Sequence, residues 1–187
     1  FFGDQLSYIK GLDQLGLQNT SESTYTQMLP GITNVTNRIR FYGFYCWLLD
    51  KYAKVDGSTN RQHQYNFIRR AELLIALVMQ VESPDVTQIP GSSFARQMID
   101  SSIGGNFYDL SEGADVIPGV NKKTYWKSPM GALGQYYLGS MRNMGLIVAR
   151  QDDPHMYVRT SKDVVKVSGI ELAEAFAVSI PDEVQEL

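Results

Sequence analysis

The sequence is short of the residues that most reactions need. Cysteine occurs once, at Cys46, and histidine only at His63 and His155. An internal disulfide is excluded, and a zinc cluster or a Cys/His nucleophile pair has no residues to build it. A lone thiol inside the apolar run Phe41 to Leu49 predicts an inert buried group and a reducing cytoplasm. No run approaches the ~18 apolar residues that span a bilayer. The first residues show neither a basic leader segment nor a cleavage site, so neither membrane nor secretion is expected. No glycine-rich phosphate loop followed by Lys-Ser/Thr occurs, and Gly104-Gly105 alone does not make one. These gaps predict a non-enzymatic chain with no cofactor, no metal site and no small-molecule substrate.

What is present is core-forming material: 187 residues, 43% of them hydrophobic, enough for one ordinary domain or two small ones. The formal charge of −3 is unevenly distributed. Residues 32–83 carry seven Lys/Arg against four Asp/Glu, and residues 122–160 carry six against two, while the remaining segments are acidic.

Periodicity predicts a mainly α fold. A short amphipathic helix is expected over residues 4–17, then a polar stretch from Gln18 to Gln27. Pro30-Gly31 turns the chain into a long helix over 32–55, with Thr33 or Thr36 as its cap. This helix is apolar on every face from Phe41 to Leu49, which marks it as a core element. A second helix over 61–82 is expected to pair with it antiparallel. Residues 84–121, rich in proline and glycine, read as a loop-rich connector with one short helix at 92–99 and an acidic solvated loop at 109–115.

Ser128-Pro129 has the cap-and-first-turn chemistry of a helix start. Met130, Leu133, Tyr137, Met141 and Met144 then recur at steps of three and four, and Gly145 ends the helix. Leu146–Arg150 and Met156–Thr160 flank a five-residue turn and predict a hairpin. Gly169 to Ile180 forms the last helix. The division is an N-terminal helical domain at 1–83, the connector at 84–121 and a third unit at 122–187.

The order of these last elements is similar to a winged-helix domain of the MarR-like and PadR-like kind. The similarity rests on Gly145-Leu146-Ile147, the hairpin as wing, Thr160, and Gly169 with Leu172 and Ala173 opening the last helix. It spans about 60 residues, from Lys122 to Val178. The insert Ser161–Ser168 departs from the pattern and predicts a displaced last helix. Separately, Pro30-Gly31, Thr33, Thr36, Arg38 and Arg40-Phe41-Tyr42 resemble an element of uncharacterised prokaryotic proteins found near phage-defence and restriction gene clusters. That resemblance implies a setting within a multi-protein complex and no mechanism.

The winged-helix resemblance implies double-stranded DNA or another protein subunit as partner. Gly131, Gln135, Gly139, Arg142 and Asn143 face away from the apolar stripe. A helical glycine costs about 1 kcal/mol relative to alanine and allows close approach by another backbone. Lys122, Lys123, Lys127, Arg142, Arg150 and Arg159 surround this face with positive charge, as duplex binding requires. Against DNA stand Asp152-Asp153 at the wing tip and the net acidity, so a protein-binding face remains the alternative. Arg38 and Arg40, near the start of the 32–55 helix, could hold an anion or a partner's carboxylate, and the rival reading is that they anchor the helix through salt bridges. Residues two apart on a helix point about 200° from one another, so both reach one ligand only if the helix is unwound there.

Overall fold

A helix that is apolar on all sides is stable only when neighbours cover it all round. In the computed structural model, which describes residues 17–28, 32, 36, 38–83, 85, 89–101, 107–116 and 124–181, that helix is α2, Ile39–Val55. It follows α1, Leu17–Met28, and precedes α3, Arg61–Glu82, α4, Ser92–Ser101, and α5, Leu110–Ala114. A π-helical turn, Leu133–Tyr137, runs directly into α6, Leu138–Asn143. The strands β1, Ile147–Ala149, and β2, Tyr157–Arg159, pair antiparallel with Val148 opposite Val158, and α7, Gly169–Val178, follows. The described residues are thus mainly helical with one small hairpin.

Several boundaries differ from expectation. The helix predicted from Ile32 begins at Ile39, because Arg38 is extended (φ −88, ψ 100) and gives no side-chain cap. Thr36 is buried two residues before the cap position, which Arg38 occupies, while Thr33 and residues 4–16 lie outside the described residues. The polar stretch after Leu17 is helical as α1, where the Thr24 hydroxyl donates to the Thr20 carbonyl at 3.0 Å. The acidic stretch at 109–115 is not a solvated loop. It holds α5, capped by the Asp109 carboxylate on the Ser111 N–H at 2.9 Å, and Asp115 accepts from Arg70 at 2.7 Å.

One apolar cluster unites Tyr42, Tyr45, Leu48 and Leu49 of α2 with Ile68 of α3, and with Leu133, Tyr137, Met141, Ile147 and Ala173 from the C-terminal third. It crosses the divisions expected at residues 83 and 121. Each large side chain buried in this way contributes about 1.5–3 kcal/mol. The main neighbour of α2 is α7, with the hairpin next, and α3 touches it less. Gly43 is the reason: a Cβ there would stand 3.1 Å from the Phe176 ring, so the bare backbone lets α7 lie close. A second cluster, Leu73, Ala76 and Leu77 with Ile89, Ala95, Ala114 and Tyr125, seats α4 and α5 on the other side of α3.

The loop Ser161–Ser168 bulges outward with Val164 and Val165 exposed, and α7 begins directly after it. The Gly169 N–H donates to the Thr160 hydroxyl at 2.8 Å, so the two ends of the insert meet. Ser168 and Glu171 complete a reciprocal capping box at the start of α7.

Cys46 is fully buried among these helices, and burial pushes its thiol up to about 12. A thiol reagent at mildly alkaline pH is therefore expected to leave the native chain unlabelled and to modify it stoichiometrically in denaturant. Rapid labelling of the folded chain would contradict the packing around α2.

Candidate functional site

Two buried charges on α3 fix where the helix after Ser128 begins. Glu72 accepts four hydrogen bonds. Its Oε1 takes the Tyr45 hydroxyl at 2.8 Å and the Leu133 N–H at 2.9 Å. Its Oε2 takes the Ala132 N–H at 3.0 Å and the Tyr125 hydroxyl. Burial drives the carboxyl upward from its usual range and the four donors oppose that. Arg69, also fully buried, donates to the carbonyls of Ala114, Trp126 and Ser128, using a fork of donors that no other side chain has.

These contacts explain why the helix does not start at Ser128-Pro129 as predicted. Gly131, expected on the outer face, is instead buried: it adopts φ +65, and a Cβ there would collide with the Glu72 carboxylate and the Tyr125 hydroxyl. The chain therefore turns left-handed at Gly131 and then presents two N–H groups to the carboxylate. The expected stripe is observed: Met130, Leu133, Tyr137 and Met141 are buried and Met144 is half-buried. The wider π turn keeps Leu133, Tyr137 and Met141 on the inside at successive steps of four. The Tyr42 hydroxyl, donating to Ser140 Oγ at 3.2 Å, ties the far end to α2.

With that stripe held inward, Gln135, Gly139, Arg142 and Asn143 are exposed together on the outer face, and Lys127 is exposed before it. A Cβ on Gly139 would meet nothing within 4 Å. The sequence from Lys122 to Gln151 contains no Asp or Glu. Lys122 and Lys123 lie outside the described residues.

The other expected basic residues are engaged within the fold. Arg150 binds Asp152 through two bonds of 2.8 and 2.7 Å. Arg159 forms an ion pair with Asp50 of α2, which also meets Lys54 at 2.6 Å. The hairpin is itself held on α3. Asp153 accepts two bonds from Arg61, each of 2.9 Å, and the Tyr65 hydroxyl donates to the His155 carbonyl at 2.7 Å. The buried Gln64 amide donates to the Tyr157 carbonyl at 2.9 Å and accepts its N–H at 3.0 Å, as a neighbouring strand would. Side-chain bonds from Arg150 and Arg61 hold the carboxyls of Asp152 and Asp153 below the usual range, so the acidic hairpin tip carries its own counter-charges.

His63 and His155 are both exposed, and His63 lies 3.8 Å from Asp56. Among the described residues no cluster of three His, Cys, Asp or Glu is placed to hold a metal. No described helix is long and apolar enough to cross a membrane. Arg38 and Arg40 are brought together: Arg38 precedes the helix, so the two side chains border one groove between α2, α3 and α7. Arg69 and Glu72 were not legible as site-building residues, because Ala71–Met79 reads as a nearly continuous apolar run around Glu72. No protein-family model, curated protein or solved structure matches the chain.

Replacing Glu72 by alanine strands four buried donors and is expected to cost about 3 kcal/mol or more in a urea unfolding experiment. Glu72→Gln, which turns an amide N–H₂ toward donors, should also destabilise. Gly139→Ala, by contrast, should raise stability by about 0.5–1 kcal/mol, since the new methyl meets open space and lowers the entropy of the unfolded chain. A neutral Glu72→Ala would show that the carboxylate does not organise this region.

Proposed function

We propose that this chain is a non-catalytic, DNA-contacting component of a multi-protein assembly. The contact is the outer face of the Leu133–Asn143 segment, in a winged-helix arrangement with the β1–β2 hairpin as wing. The observation that carries this reading is the chemistry of that face. Gln135, Arg142 and Asn143 are exposed together, and Arg, Asn and Gln are the side chains whose paired donors and acceptors match base edges in the major groove. Gly139 lies among them with open space in front, which allows backbone approach. Lys127 and Arg142 supply phosphate-binding charge, joined in sequence by Lys122 and Lys123, and the stretch from Lys122 to Gln151 contains no carboxylate to repel a duplex. Arg150 and Arg159 serve the fold through Asp152 and Asp50 and are not counted as contacts. A prokaryotic, cytoplasmic, phage-defence setting follows from the Pro30–Tyr42 element and the single buried thiol.

A second reading, protein assembly with no DNA contact, is favoured by the docking of the hairpin. A wing fastened to α3 through Arg61–Asp153 and Gln64–Tyr157 does not reach along a minor groove. The Gly139 face would then receive a partner helix.

A mobility-shift assay with duplex DNA across a salt series separates the two. Lys127→Glu combined with Arg142→Glu should weaken retention at least about tenfold and reduce the log–log salt slope by about 2. Gly139→Leu should leave the melting temperature unchanged or higher while blocking close approach. No duplex retention at low salt, together with loss of a co-purifying protein in Gly139→Leu, would remove DNA from the function and leave assembly.

A further inference from the structure

The groove where α2, α3 and α7 meet has an apolar floor and a basic rim. Phe44 and Phe176 form aromatic walls with ring centroids 6.1 Å apart, Ile75 and Met79 of α3 face them, and Arg38 and Arg40 border the opening. Two features of the chain make this rim. Arg38 is extended, so its side chain is not carried to the face opposite Arg40 as in a continuous helix. The Arg40 guanidinium lies 5.6 Å from the centroid of the Phe176 ring, which holds the cation at the border of the apolar floor. Among the described residues, no Asp or Glu lines the groove.

Its size decides the class of occupant. The cavity is about 220 Å³, below the ~300–1,000 Å³ of sites that enclose a drug-sized ligand. It suits one large apolar side chain. Anchors of this kind, buried in a pocket and ringed by polar contacts, carry most of the energy at protein interfaces. We propose that the groove binds a segment of a partner protein in which a Phe or Leu anchor is flanked by Asp or Glu. The anchor lies against Phe44, Met79 and Phe176, and the flanking carboxylates meet the planar forks of Arg38 and Arg40. This surface is separate from the Leu133–Asn143 face and stands whether that face receives DNA or protein.

The test titrates a fluorescein-labelled peptide, Asp-Asp-Leu-Phe-Asp-Asp, into the full chain by anisotropy, with methyl-labelled Ile and Met followed by NMR. Saturable binding with shifts at the methyls of Ile75, Met79 and Ile89 is expected. It should weaken at least about tenfold in Arg38→Glu/Arg40→Glu with the helical circular-dichroism spectrum retained, and fall as salt rises. The peptide Asp-Asp-Ser-Ser-Asp-Asp should not move these methyls, and Lys-Lys-Leu-Phe-Lys-Lys should not bind. Absence of shifts at high peptide concentration, or equal binding by the serine peptide, overturns the proposal. So does a duplex arm in which the double charge reversal abolishes DNA retention while peptide binding is unaffected, because the arginines would then belong to nucleic acid.

Discussion

The arrangement depends on a buried carboxylate that is satisfied only when three distant parts of the chain meet. Glu72 on α3 receives Tyr45 from α2, Tyr125 from the segment after α5, and the N–H groups of Ala132 and Leu133. Removing a carboxylate from water costs several kcal/mol, and a partly satisfied one is worse than an apolar side chain. A near-native packing that loses one donor therefore loses more than one hydrogen bond. Gly131 belongs to the same constraint, since its left-handed turn is what allows the backbone to approach the carboxylate.

From this point α3 acts as the spine of the described structure. Its first turns, through Arg61, Gln64 and Tyr65, hold the hairpin. Its middle, through Arg69, Arg70 and Glu72, holds Ala114, Asp115, Trp126 and Leu133. The remainder, through Leu73, Ala76 and Leu77, seats α4 and α5. The outer face of the Leu133–Asn143 segment and the hairpin are thereby fixed to one rigid element. A surface meant to present side chains to a partner gains from that rigidity, because little ordering cost is left for binding.

Elements governed by local periodicity were legible in the sequence. The helix expected at 61–82 is α3 at those limits, the stripe from Met130 to Met141 is buried, and the hairpin strands and the helix opening at Gly169 are observed. Elements governed by a distant partner were not. Ser128-Pro129 carries good helix-start chemistry, but the geometry that wins is the one that brings backbone N–H groups to Glu72. The acidic stretch at 109–115 looks solvated until Arg70 supplies its counter-charge. Arg159 looks available until the fold places it against Asp50. Charge type is written in a sequence, but the position of the counter-ion is a tertiary fact.

The same fact changes what the basic segments mean. Counted along the chain, residues 122–160 are strongly positive. In the fold, Arg150 and Arg159 are neutralised within or beneath the hairpin, and Arg61 spends its charge on Asp153. Two of the surfaces that carry basic residues are of unlike character. Around Gln135, Arg142 and Asn143 the charge is accompanied by amides and a bare glycine, a surface suited to hydrogen-bonded, wet contact. Around Arg38 and Arg40 it borders Phe44, Met79 and Phe176, where an anion is held well only if an apolar group is buried with it. If both proposed contacts hold, a ligand suited to one face is poorly suited to the other, and the two surfaces would engage different partners.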